Sequence, residues 1–176
     1  MNRGERKQVS VHPRAAALIR RLELTPHPEG GYYREVFRSS RRVRADDSTV
    51  ERAAITTIYF LLVAGQYSRW HRITSDEVWH YYEGEPLELI WLDVSRTVVQ
   101  RRRLGPATDD CQPVHLVPGA CWQAARPLGE YTLVGCSVAP GFEFSDFSLL
   151  ADSPDDLALV QDRFPELATL IVRARP

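Results

Sequence analysis

Lysine is nearly absent from this chain. Lys7 is the only one, so the basic charge is carried almost wholly by arginine. The 22 basic side chains are offset by 23 acidic ones, leaving a formal net charge of −1. A near-neutral chain argues against nucleic acid as the main partner, because a phosphate-binding face needs a basic excess. The arginine bias reads as a coding preference of the source genome, and the clusters Arg41-Arg42-Val43-Arg44 and Arg101-Arg102-Arg103 as solvated loop or strand ends. No run of about 18 apolar residues is present, so no membrane span is expected. The first residues, Met1 to Lys7, lack the apolar stretch of a signal peptide. Cysteine is scarce and odd in number: Cys111, Cys121 and Cys136 are widely spaced, without a Cys-x-x-Cys pair. That usage argues against a disulfide framework or a reactive thiol pair and leads to the expectation of a reduced, cytoplasmic setting. Repeats and low-complexity segments are absent too.

What is present reads as one mainly β domain. At 176 residues the chain is long enough to bury a core, and the expected organisation is a flexible N-terminus over 1–13 and a single domain over 14–176. A helix is expected over Arg14–Leu24, with Pro13 suited to its start. Pro26, Pro28, Gly30 and Gly31 enforce an irregular loop. Tyr32 to Arg38 alternates as a half-buried strand does, and the polar stretch from Ser39 to Glu51 is the expected mobile loop. Ala54–Val63, rich in β-branched and aromatic residues, reads as a central strand. Further strands are expected at 67–71, 77–83, 86–93, 96–102, 113–117, 121–125 and 131–139, separated by Gly65, Gly84, Gly105, Gly119 and Gly129. Many short strands without intervening helices mean a sandwich or barrel. Two short helices, Asp155–Phe164 and Pro165–Arg173, close the chain.

Chemistry concentrates in Trp70-His71-Arg72-Ile73-Thr74-Ser75-Asp76-Glu77-Val78-Trp79-His80. An imidazole and a carboxylate on neighbouring strands are what a metal site or an acid/base pair requires. Glu77 in an aromatic environment would have its pKa raised by desolvation. Trp79 shares its strand face and would wall a pocket, whereas His80, three residues from Glu77, falls on the opposite face unless a bulge turns it inward. Tyr59 and Tyr131 are candidate phenolic acids. His27-Pro28-Glu29-Gly30-Gly31-Tyr32-Tyr33-Arg34 reads either as a tight turn or as a lid, carrying Glu29, Tyr32 and Arg34 to the ligand with Arg34 gripping a phosphate or carboxylate. Asp146 is expected to anchor the chain as it leaves the barrel, and Cys121 and Cys136 to be inert fillers.

The spacing Gly65, five residues, His71, then Glu77, six residues, Gly84 resembles the first motif of the cupin superfamily, the double-stranded β-helix or jelly roll. Ile73 stands where that motif has its second histidine. The second motif resembles Pro118-Gly119-Ala120-Cys121-Trp122-Gln123, with Ala120 at its glycine position and Gln123 at its histidine position. These stretches, with His27–Glu35 and Pro140–Phe147, make about residues 20–172 similar to an uncharacterised single-domain cupin family long known as a domain of unknown function. The resemblance implies a jelly-roll barrel, a homodimer and similarity to the sugar-nucleotide epimerase branch of cupins.

Three functions compete. One is a metal-independent isomerase or epimerase acting on a small polar, sugar- or nucleotide-linked ligand, with His71 as base, Glu77 or a tyrosine (Tyr59 or Tyr131) as acid, and Arg34 or Arg69 orienting an anion. In this reading Glu29, Tyr32, Trp79, His80 and Gln123 complete the ligand site and no cofactor is needed. The second is a metal-dependent oxygenase or lyase holding Fe, Mn, Ni or Zn through His71, Glu77 and Gln123. The third is a non-enzymatic small-ligand-binding module.

Overall fold

A computed structural model describes residues 11–45, 49–95 and 97–171. The chain runs through helix α1 (Pro13–Arg21), β1 (Thr25–Pro26), β2 (Tyr32–Arg38), β3 (Arg42–Arg44), β4 (Glu51–Ala53), β5 (Thr56–Val63), β6 (Ser68–Arg72), β7 (Asp76–Gly84), β8 (Leu87–Leu92), β9 (Val99–Leu104), β10 (Val114–Val117), β11 (Trp122–Pro127), β12 (Tyr131–Ala139), β13 (Ser148–Leu149) and helix α2 (Pro154–Arg163), with a 3-10 helix at Pro165–Leu170. Two antiparallel sheets face each other. The order is β1-β2-β5-β12-β7-β10 in the first and β13-β6-β11-β8-β9 in the second. This is the jelly-roll architecture that the cupin resemblance implies, one form of the sandwich or barrel expected from the strand spacing.

Period-two alternation decides what each strand contributes to which layer. Phe60, Leu62, Trp79, Leu87, Leu89 and Val134 point between the sheets and form the barrel interior. The alternate residues Ile90, Leu92, Trp70 and Trp122 point outward, where α2 and the 3-10 helix cover them with Val160, Leu167 and Leu170. Strand β8 is therefore buried on both faces, which is why Leu-Glu-Leu-Ile-Trp-Leu reads as a nearly unbroken apolar run. The indoles of Trp70 and Trp122 reach partners, donating to the Leu167 carbonyl (3.1 Å) and to Asp156 Oδ2 (3.0 Å). On the back of the other sheet, Ala15 and Leu18 of α1 pack on Leu61, Val63, Tyr131 and Leu133. Helix α1 starts at Pro13, where the His12 side chain accepts from the Arg14 N–H, and it ends three residues short of the expected Leu24.

Two expectations are corrected. Within the polar stretch 39–51, Arg42–Arg44 pairs with Glu51–Ala53 as an antiparallel ribbon rather than forming a mobile loop. Tertiary contacts outweigh its polarity: Arg52 of β4 holds Asp146 through two hydrogen bonds (2.9 and 2.7 Å), and residues 46–48 at its tip lie outside the described residues. The expected second terminal helix is 3-10 as far as Leu170, and residues 172 and 173 lie outside the described residues. Strand β9 begins at Val99, not at residue 96, which is also outside them.

Candidate functional site

A cavity of about 130 Å³ opens at the barrel end where β5 and β7 begin and β6 and β12 finish. It is of the order of the ~150 Å³ cavity known to hold a benzene ring, so one small molecule or one ring of a larger one fits inside.

Its polar depth is a cluster of four titratable side chains, all buried: His27, Glu29, His71 and Glu77. The first two are delivered by a tight turn, with His27 N–H donating to the Gly31 carbonyl (3.0 Å) and Gly30 N–H to the His27 carbonyl (3.1 Å). Gly30 and Gly31 have φ of +117° and +69°, and a Cβ at either would run into the carbonyl of Tyr67 or Leu61. The paired glycines thus let the turn lie flat on neighbouring backbone and face His27 and Glu29 inward. Arg69 fastens the turn by donating to the Pro28 carbonyl (2.5 Å).

Hydrogen-bond logic fixes the tautomers. His71 Nδ1 lies 2.8 Å from the Arg69 carbonyl, which can only accept, so Nδ1 carries the proton and Nε2 is bare. That Nε2 faces Glu29 Oε2 at 3.4 Å. Ser68 Oγ donates to the other oxygen, Glu29 Oε1, at 3.0 Å. His27 Nδ1 accepts from the Glu29 N–H (3.3 Å), which puts its own proton on Nε2. Burial lowers the pKa of both histidines and raises that of Glu29. A bare nitrogen opposite a carboxyl oxygen is a place for one shared proton.

Glu77 is held from below. Trp79 Nε1, which can only donate, gives its proton to Gln123 Oε1 (3.2 Å), so the amide must present Nε2 to Glu77 Oε2 (2.5 Å). Gln123 sits opposite His71 in the β6–β11 ladder, which brings the two motifs into one site. Desolvation raises the pKa of Glu77 to about 7, against the lowering pull of His71. Cys136 lies beside it, its thiol pushed up by burial.

The rim was not anticipated. Strand β2 faces Tyr33 and Glu35 inward, and a bulge between Glu35 and Phe37 then turns Arg38 to the same side. Arg38 pairs with Glu35 (2.8 Å) and Glu143 (2.7 Å) and donates to the Phe142 carbonyl. Phe142, Phe144 and Phe147 complete the wall. The signal for this wall lay in Pro140-Gly141-Phe142-Glu143-Phe144-Ser145-Asp146-Phe147, whose dense aromatics exceed what a linker needs.

Several expected site residues lie elsewhere. Tyr59 faces the outer side, edge-on to Tyr82, and Tyr131 packs under α1 with its hydroxyl on Glu83 (2.8 Å). The phenol that does line the cavity is Tyr33. Tyr32 packs outward with the α1 cluster, and Arg34 points away to Glu23 (2.8 Å) and the Leu22 carbonyl, because both stand on the outer face of β2. The lid reading gives way to a packed turn, and Arg69 holds that turn instead of a ligand. His80 takes the outward position, since the bulge in β7 comes only beyond Tyr81. Trp79 lies beneath the cavity and shapes it through Gln123. Asp146 pairs with Arg52 where the chain leaves the barrel.

The residues present do not fit a cupin metal site. Ile73 occupies one ligand position as an apolar cavity wall, and Gln123 Oε1, the atom that would ligate, accepts from Trp79 instead. Among the described residues, no three His, Cys, Asp or Glu side chains are arranged to hold a metal ion. No helix among them is long and apolar enough to cross a membrane.

Comparison with known proteins bears on the fold. The family model described as "Cupin superfamily (DUF985)" matches residues 16–150. A hypothetical protein from Leishmania major is 33% identical, with 89% of this chain and 96% of that one covered and a TM-score of 0.78. A protein from Shewanella oneidensis is 32% identical over 92% of this chain and 98% of its own, with a TM-score of 0.74. An oxalate decarboxylase variant from B. subtilis shares the fold at 15% identity and a TM-score of 0.53, covering 82% of this chain and 36% of that one. No curated protein matches the chain.

Proposed function

The chain belongs to the cupin superfamily, in the family described as DUF985, and within that fold we propose that it is a metal-independent acid–base catalyst of isomerase or epimerase type. Its substrate is a small polar molecule, or the sugar-like end of a larger one, since the cavity of about 130 Å³ encloses no more. The observation that carries this reading is the bare Nε2 of a buried, neutral His71 beside a carboxyl group whose pKa is raised to about 7.

Two titratable groups pushed in opposite directions by one environment make an acid–base pair. His71 Nε2 takes a proton from carbon next to a carbonyl, and the protonated share of Glu77 returns one at a second position or on the opposite face. The proton stays on His71 Nε2, and the Glu29 carboxylate 3.4 Å away steadies the imidazolium that forms. Composition is unchanged, as an isomerisation requires. The working protonation state needs His71 neutral and Glu77 protonated, so the pH–rate profile is a bell: its acid limb falls as His71 protonates below 6.5 and its alkaline limb falls near 7. A homodimer in a reduced compartment is the setting this reading takes, in keeping with three free, buried cysteines.

Deuterium wash-in tests it. Small hydroxy-carbonyl compounds incubated with the protein in D2O are followed by proton NMR for loss of the exchangeable C–H signal. Exchange that disappears in His71→Ala and slows in Glu77→Gln is the expected result. Exchange that persists at full rate in His71→Ala would sink the proposal. A tightly bound compound that never exchanges would make the barrel a ligand-binding module.

A further inference from the structure

Resting on the reading of the cavity as the ligand site, we propose that its ligand carries a positively charged nitrogen, an amine or quaternary ammonium, seated at the mouth against Phe142, Phe144 and Phe147.

Charge is the first argument. At the mouth two carboxylates, Glu35 and Glu143, stand against a single arginine, Arg38, while burial pushes Glu29 and Glu77 beneath them towards the neutral form. That arginine is already met by both, through Glu35 at 2.8 Å and Glu143 at 2.7 Å. Arg34 and Arg69, the other candidates for gripping an anion, are committed to Glu23 and to the Pro28 carbonyl. An anionic ligand would meet an excess of like charge, whereas a cation relieves it.

The aromatic wall is the second, independent argument. The rings of Phe142, Phe144 and Phe147 stand at 71–80° to one another with centroids 5.1–6.4 Å apart. All three line the cavity, and Phe144 is 52% exposed. One face of Phe147 stacks on His71 and one of Phe144 on His27; with Phe142, their opposite faces form a corner of the kind that holds quaternary ammonium groups. A core would have buried Phe144. The segment is also held rigidly: Phe142 N–H donates to Thr56 Oγ1 (3.0 Å), Arg38 donates to the Phe142 carbonyl, and Asp146 is clamped by Arg52. Preorganised rings cost little ordering entropy on binding.

Three probes of one shape separate charge from bulk: choline, its uncharged carbon isostere 3,3-dimethylbutan-1-ol, and the anion 3,3-dimethylbutanoate. Binding is read by NMR shifts of cavity residues. Choline should bind about tenfold or more tighter than the isostere, with the anion weakest. Phe144→Leu, which keeps bulk but loses the π face, and Glu143→Gln should each cut the preference for choline over the isostere several-fold. An isostere or anion that binds as well as choline, or no choline binding at tens of millimolar, overturns the proposal. Deuterium wash-in into an uncharged compound that depends on His71 would leave the acid–base reading standing while the cation fails. Selective choline binding with no compound ever exchanging would do the reverse.

Discussion

Glu77 and Glu83 lie six residues apart on the same strand, yet burial raises the pKa of one to about 7 while Arg14 lowers that of the other to about 2. At the Glu83 end, Arg14 of α1 makes two hydrogen bonds to the carboxylate (2.6 and 2.7 Å) and Tyr131 a third (2.8 Å), in partial contact with water. At the Glu77 end no arginine or lysine among the described residues pairs with the carboxylate, and the only coulombic pull against the shift is that of His71. A neutral amide donates one hydrogen bond, and the apolar interior lies just beneath. The residue type is the same and the strand is the same. What differs is that one carboxylate has an ion-pair partner and the other has been taken out of water without one. The first arrangement stabilises; the second stores a cost that chemistry can use.

The apolar plug beneath Glu77 sustains this contrast, so removing part of it should have the largest effect. Leu89→Ala is expected to lower stability by about 2–5 kcal/mol in urea unfolding, and to shift the Glu77 titration down as water enters. A Glu77 titration unchanged in that variant would break the link between plug and pKa.

Next comes Glu77 itself. Its folded pKa lies above its unfolded value of 4.5, so the penalty is absent below pH 4.5, grows as pH rises towards 7, and is constant above. Glu77→Gln should therefore leave stability near that of the wild type at pH 4 and raise it by up to about 3 kcal/mol at pH 8. Equal melting curves at both pH values would count against a strained carboxylate. Trp79→Phe is expected to cost about 1–3 kcal/mol, because it leaves Gln123 Oε1 buried without a donor. It should also free the amide to turn and move the Glu77 titration, read by carboxyl-carbon NMR. Arg14→Ala is the smallest: the Glu83 pKa should rise towards the ordinary carboxylate range with little change in melting temperature, since an exposed pair contributes little to folding.

Much of this was legible in advance because local rules governed it. Glu77 and Trp79 share a face by alternation, His71 and Gln123 meet through two motifs whose strands pair, and Glu29 enters on a turn that two glycines announce. The contribution of β2 was not legible: a lid was expected to carry Tyr32 and Arg34 to the ligand, whereas the other face of the strand, Tyr33, Glu35 and, after the bulge, Arg38, lines the cavity. A one-residue slip exchanges every side chain between faces, and nothing local marks which parity the sheet will bury. The ribbon at β3 and β4 was hidden for a different reason, since its order comes from Arg52 gripping Asp146, 94 positions along the chain.

The sequence by itself determined a sandwich or barrel, through the number and spacing of its apolar strands and turns, its motifs implied the jelly roll by resemblance, and it determined that His71 and Glu77 would be neighbours. Tertiary structure alone decided which tyrosine and which arginine join them, that Gln123 is committed to Trp79 and Glu77, and that three phenylalanines stand around the mouth. The division has one physical cause. Strand formation follows from local spacing, but burial, register and the partner a charge finds depend on segments far apart in the chain.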